Sequence, residues 1–166
     1  MKLLELIGLP VYEIQSGKRL SKVKDIWMSD KWEITHLELV KSSLYSRTIP
    51  VVTWEHVTAC GEDAVMLESQ SHLLHYKSSQ AEPYRTFLEG PQRIKEMPIL
   101  TTAGIQLGWV ADVYFQPHMG NTITGLEISD GLLSDLIEGR IQYEGTGHIG
   151  EHAIIVTESA MSSGLS

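Results

Sequence analysis

Three groups of residues in this chain have types and spacings that can do chemistry. Gly145, Gly147 and Gly150 form G-x-G-x-x-G within "YEGTGHIGEHAIIV", residues 143–156. That spacing can mark a loop whose backbone approaches a dinucleotide pyrophosphate. His148 and His152 stand close in sequence, as do His72 and His75, and paired imidazoles are a start towards a metal site. Asp25 and Asp112 offer two carboxylates for acid–base work. Cys60 is the single thiol. Which of these chemistries is real depends on the elements that carry the residues.

Those elements are written twice. Shifted by 89 positions, "ITHLEL" (Ile34–Leu39) falls on "ITGLEI" (Ile123–Ile128), and "GEDAVML" (Gly61–Leu67) falls on "GEHAIIV" (Gly150–Val156). A gap-free register over this stretch puts Trp54 on Tyr143, Cys60 on Ile149, and Glu138-Gly139 where Ile49-Pro50 stands. Upstream, "GKRLSKVKDIW" (Gly17–Trp27) lies beside "GIQLGWVADVY" (Gly104–Tyr114) with a slip of two residues. The slip implies a longer hairpin loop in the second copy, at Pro117 and Gly120-Asn121. Pro10-Val11 matches Pro98-Ile99.

Each copy reads as short strands with glycines between them. "RLSKVKDIWM" alternates imperfectly, as a bulged strand would. "DAVML" and "HAIIV" suit buried strands. This pattern predicts an all-β fold, with two small β-barrels in tandem packed on each other, since one such unit buries little apolar area alone. A closed barrel also leaves no open edge. The first barrel is expected over 1–69, a connecting segment with a short helix around His72–Tyr76 over 70–94, the second barrel over 95–158, and a frayed tail over 159–166. "LLSDLIEG" reads as a turn or two of helix.

Placed on these elements, the apparent chemistry recedes. A dinucleotide loop needs a helix after it, but "EHAIIV" reads as a strand, so Gly61 and Gly150 are expected in turns needing positive φ. The partners of His148 and His152 in the other copy are Ala59 and Asp63. Asp25 and Asp112 recur in register, which suggests carboxylates accepting backbone N–H bonds near a turn. Glu38 and Glu127 suit exposed strand positions, and Cys60 suits a small core site. No catalytic residue, no cofactor and no metal is expected.

Both copies resemble the PRC-barrel domain, shared by the photosynthetic reaction-centre H subunit and the C-terminal part of the ribosome maturation factor RimM. The resemblance rests on Gly17, Leu20, Val23, Asp25, Ile34, Leu37, Leu39, Ile49-Pro50, Gly61 and Ala64-Val65. In the second copy it rests on Gly104, Leu107-Gly108, Val110, Asp112, Val113, Leu126, Ile128, Gly150 and Ala153-Ile154. The tandem arrangement is similar to small stand-alone bacterial PRC-barrel proteins. The resemblance implies a β-barrel adaptor without catalytic residues.

Charge adds a direction. The net charge is -8. Residues 97–166 hold Arg140 alone against eight acidic side chains. A surface of this sign steers towards a basic partner and disfavours direct nucleic-acid contact. The N-terminal apolar run is too short for a membrane span, and a lone cysteine is compatible with the cytoplasm. The expected function is a non-enzymatic cytoplasmic adaptor binding a protein, with a homodimer also considered. Alternatives are a ribosome-assembly factor, or a small-molecule binder or enzyme using a cleft between the barrels. Trp109 falls on Lys22 in register and Trp32 falls near a turn. Aromatics at non-equivalent positions fill an interface or mark a binding surface. The candidate partner-binding residues are Trp109, Asp130, Asp135 and Glu138.

Overall fold

A computed structural model describes residues 1–130 and 141–157. The strands of the first half are β1 (Pro10–Glu13), β2 (Arg19–Met28), β3 (Ile34–Leu39), β4 (Ile49–Thr53), β5 (Val57–Cys60), β6 (Val65–Leu67) and β7 (Leu74–Tyr76). A short helix, α1 (Ser78–Ala81), and strand β8 (Arg85–Thr86) follow. The second half holds β9 (Pro98–Thr101), β10 (Gln106–Phe115), β11 (Ile123–Ser129), β12 (Ile141–Glu144), β13 (His148–Ile149) and β14 (Ile154–Val156). The first sheet runs β5-β6-β1-β2-β3-β4-β7, with β8 added to β2; the second runs β12-β11-β10-β9-β14-β13. Each curls into a half-barrel. Its hydrogen-bonded path is linear rather than closed, so β5 and β7 remain edges of the first sheet. Curling alone brings the inner faces together, which is why the expected closure is not needed to bury the core.

The duplication holds at the level of hydrogen bonds. In the β2–β3 ladder Val23, Asp25, Ile26, Trp27 and Met28 face Leu39, Glu38, Leu37, His36 and Ile34. In the β10–β11 ladder Val110, Asp112, Val113, Tyr114 and Phe115 face Ile128, Glu127, Leu126, Gly125 and Ile123. Lys24 and Ala111 are the extra residues of equivalent bulges, as are Thr35 and Thr124 on the partner strands. A bulge bends its strand and reverses side-chain phase, so Ile34 can join Leu37 and Leu39 in the core despite the odd spacing. The hairpin loop is residues 29–33 in the first copy and 116–122 in the second, two residues longer as the slip requires.

The register changes further on. Leu37 faces Val52, while its counterpart Leu126 faces Tyr143. Val52, not Trp54, is therefore the equivalent of Tyr143, and by the same offset Ile141 corresponds to Pro50. The first copy spends its two extra residues on a 3-10 turn at Trp54–His56. Register returns by Cys60 and Ile149, which face Val65 and Ile154. The segment expected to be helical around His72–Tyr76 is a 3-10 turn at Gln70–His72 followed by β7, which pairs with β4. Half-exposed Leu74 and His75 have an open sheet edge beside them, and the ladder satisfies their backbone where an isolated turn of helix would not. The helix read in "LLSDLIEG" and the tail lie outside the described residues.

The two half-barrels share one hydrophobic core, in which Leu3, Leu6, Leu37 and Val65 join Phe87, Ile94, Phe115 and Ile154. They meet around a local twofold relation. The backbone N–H of Ile34 donates to Asn121 O at 2.8 Å, and the N–H of its counterpart Ile123 donates to Trp32 O at 2.8 Å. Reciprocal contacts between equivalent residues are the signature of an isologous interface, here within one chain. Trp32 is buried in it and donates from Nε1 to Gly147 O at 3.0 Å. Trp54 stacks edge-on to Phe115.

Candidate functional site

Each Asp sits directly after the bulge residue of its long strand, and the bulge turns its carboxylate towards backbone arriving from another segment. Asp25 Oδ1 accepts from the N–H groups of Ile26 at 2.7 Å and Leu88 at 2.9 Å, and Oδ2 accepts from Glu89 at 3.1 Å. Asp112 Oδ1 accepts from Val113 at 2.8 Å and Leu4 at 3.2 Å. Leu4 belongs to the arm that leads into the first barrel, yet it is held by the second. Leu88 belongs to the arm that leads into the second barrel, yet it is held by the first. The arms are exchanged across the local twofold. Burial pushes the Asp112 carboxyl up to about 6 against the opposing pull of these N–H groups, and Asp25 is raised for the same reason. These carboxylates are latches for the arms, sited at bulges rather than at turns.

Glu127 is also buried, contrary to the expected exposed position. It accepts from Tyr114 Oη and from Lys2 Nζ, each at 3.1 Å. Its counterpart Glu38 accepts from Trp27 Nε1 at 2.9 Å and pairs with Lys24. An aromatic donor at the bulge and the carboxylate across the ladder form a repeated pair, which draws both acids inward.

The glycine motif spans the end of β12 and the β13–β14 hairpin, and strands follow it. Positive φ occurs at Gly145 and Gly147, not at Gly61 or Gly150. Gly150 instead closes a tight turn through its N–H to Ala153 O at 2.8 Å, where a Cβ would lie 2.7 Å from that same carbonyl. Close backbone approach, not handedness, requires the glycine. His148 and His152 are exposed, and His72 stacks on His56 with centroids 4.0 Å apart. Among the described residues no three His, Cys, Asp or Glu side chains converge on a metal position. Burial pushes the Cys60 thiol up to about 12, which removes its nucleophilic thiolate at neutral pH.

The PRC-barrel domain model matches residues 1–42, the stretch containing the first arm, β1, β2 and β3. The chain carries a PRC-barrel domain. The second half-barrel repeats the same ladder and bulges, so the half-barrel occurs twice in tandem. No curated protein matches the chain. No helix among the described residues is long and apolar enough to cross a membrane.

Where the two half-barrels differ, a groove appears. Trp109 is 40% exposed on β10 and lines a groove of about 550 Å³ with Leu4, Arg93, Lys95, Glu96, Val110, Ala111 and Ser129. Trp109 faces Pro98 on one side and Ser129 on the other. Asp130 follows Ser129 in the chain, so two of the four sequence-derived candidates sit at neighbouring positions. Asp135 and Glu138 lie outside the described residues. In the first unit Lys22 holds the Trp109 position, facing Pro10.

Glu96 escaped the sequence reading. Its φ is 71°, a left-handed conformation that costs a non-glycine residue roughly 1 kcal/mol or more. Gly8 holds the equivalent position, and each donates its N–H to the bulge strand, Gly8 to Val23 O and Glu96 to Val110 O. The Glu96 carboxylate pairs with Arg93 at 3.1 Å and Lys95 at 3.5 Å, and these cations hold it below the usual carboxylate range. The signal lay in the repeat, since Gly8 and Glu96 each stand two residues before the matched Pro10 and Pro98. A ring cluster was missed as well. Trp27, His36, Tyr76 and Tyr84 pack at centroid distances of 4.7–5.9 Å. Burial lowers the His36 pKa. Tyr76 and Tyr84 come from the connecting segment, so no local pattern marks the cluster.

Proposed function

We propose that this PRC-barrel chain is a non-enzymatic cytoplasmic adaptor that holds a basic protein partner in the groove beside Trp109. The exposed indole, standing where the first unit has Lys22, is the observation that supports the reading. Exposed tryptophans over a preformed groove are strong anchors for partners. An indole face also attracts Lys and Arg side chains. The acidic excess of residues 97–166 favours encounter with a basic protein and makes that encounter salt-sensitive. The Glu96 backbone strain is retained at the groove wall, where such strain often accompanies binding.

Affinity capture from lysate with the wild-type chain, Trp109→Ala and Lys22→Ala tests this. A basic protein retained by wild type and by Lys22→Ala, reduced at least about tenfold by Trp109→Ala, and released by salt supports the reading. An identical retained set for all three chains overturns it. A ribosomal protein in that role would also assign the process.

A further inference from the structure

The loop between β3 and β4 projects two apolar side chains away from the molecule. Leu44 is 98% exposed and Tyr45 is 93% exposed. They are not a frayed accident of sequence. The loop is pinned by Lys41 Nζ donating to Ser46 O at 3.2 Å, Tyr45 N–H to Ser43 Oγ at 3.2 Å, and Ser46 N–H to Ser43 O at 3.2 Å. This turn holds the two side chains at its tip.

Cations surround that tip. Arg47 is exposed on the loop itself, and exposed Lys18 and Arg19 lie on the neighbouring β1–β2 hairpin, at the same end of the half-barrel. Lys18 and Lys41 line one shallow depression with Leu20, Val40 and Pro50. Lys18, Arg19 and Arg47 form no ion pair among the described residues. The carboxylates at this end are Glu13, buried and bonded to Ser16 Oγ and the Gln70 N–H, and exposed Glu68. The opposite end of β2 and β3 carries the hairpin that meets the second unit. Ten residues of β2 separate the two ends by about 30 Å, several times the screening length of about 8 Å in physiological salt. The acidic second unit is therefore electrostatically remote from the loop. In the second unit the stretch after β11 carries Asp130, Asp135 and Glu138 instead.

We infer that the β3–β4 loop docks the protein on an anionic phospholipid surface, with Leu44 and Tyr45 entering the interface and Lys18, Arg19, Lys41 and Arg47 meeting the headgroups. A bilayer interface accepts a convex apolar tip without a matching cavity. Tyr is at home there, its ring in the apolar boundary and its hydroxyl in the headgroups. Lys and Arg stems lie along the same boundary while their charges reach the phosphates. One loop of this size gives weak, reversible attachment, of the order of a single short anchor. This inference stands apart from the partner groove, which lies in the other unit.

Flotation of the full chain with vesicles tests it. One set is phosphatidylcholine alone; the other contains about 30% phosphatidylglycerol to supply anionic headgroups. The chain is expected to float with the anionic vesicles and not with the neutral ones. Replacing both tip residues (Leu44→Ser with Tyr45→Ser) should weaken binding at least about tenfold. Reversing two charges (Arg19→Glu with Arg47→Glu) should weaken it by a similar factor. These positions are exposed, and an unchanged thermal transition would confirm folding. Failure of wild type to float at low salt overturns the inference, as does flotation that ignores the tip residues. A protein captured through Leu44 and Tyr45 without vesicle binding also overturns it. The Trp109→Ala chain should float like wild type, which separates this result from the partner reading.

Discussion

The two half-barrels share a ladder and differ in what stands on it. Both have the same bulges, the same Asp behind the bulge and the same buried strand pair at β1/β6 and β9/β14. The first unit then places Gly8, Lys22, Trp27 and His36 where the second has Glu96, Trp109, Tyr114 and Gly125. Residues shared by both units hold backbone; residues that differ face a groove, an aromatic cluster or solvent. Duplication thus separates what the fold requires from what each unit does with it.

The largest test of that division is removal of the latches. Asp25→Ala strips the acceptor from three backbone N–H groups, and Asp112→Ala strips it from two. Asp25→Ala should cost about 3–4 kcal/mol and Asp112→Ala about 2–3 kcal/mol, read as the shift in urea unfolding. Equal or negligible costs would break the claim that the shared Asp is structural.

A second test concerns pH. Burial raises the folded-state Asp112 carboxyl to about 6, above its value in an unfolded chain. Between about pH 4 and pH 6 the folded state therefore holds more protons, and this group lowers stability as pH rises. Asp25 acts with the same sign. Asp112→Asn keeps an acceptor for Leu4 and removes the charge. It should flatten the slope and raise stability at pH 7 by roughly 2 kcal/mol, measured by urea unfolding at a series of pH values. An unchanged slope would reject the latch's buried ionisation.

The smallest effect distinguishes the two arms. Gly8→Glu should destabilise by about 1 kcal/mol, and Glu96→Gly should be neutral or recover up to about 1 kcal/mol, by thermal unfolding. The exposed pairs of Glu96 with Arg93 and Lys95 contribute little to set against this. A large loss from Glu96→Gly would make Glu96 structural and weaken its assignment to the groove.

Legibility followed locality. The β2–β3 and β10–β11 ladders could be read because bulge, aromatic and Asp recur within a dozen residues, and the longer second hairpin showed as a slip. The β4–β12 register could not be read, because the two extra residues of the first copy at the 3-10 turn of Trp54–His56 and the two extra residues of the second copy between β11 and β12 cancel within a gap-free alignment. The helix expected near His72 failed because the exposed edge of β4 was available to pair with β7. Gly61 and Gly150 were recognised as turn residues, but the close backbone contact that Gly150 requires could only be seen with Ala153 in place.

The amino-acid sequence alone determined that the fold is all-β, that it is duplicated, and which Asp and hydrophobic residues recur. Alternation, bulge phase and repeat spacing are properties of neighbouring residues, so they survive in one dimension. Only the tertiary structure decided that the arms cross to the opposite unit, that Trp32 and Trp54 fill the interface while Trp109 stays open, and that Glu96 bends into a left-handed backbone. Those outcomes depend on contacts between residues far apart in the chain, such as Leu4 with Asp112 and Trp32 with Gly147. The energy of such contacts is set by burial and by reciprocal geometry across the local twofold, neither of which is written in any single segment.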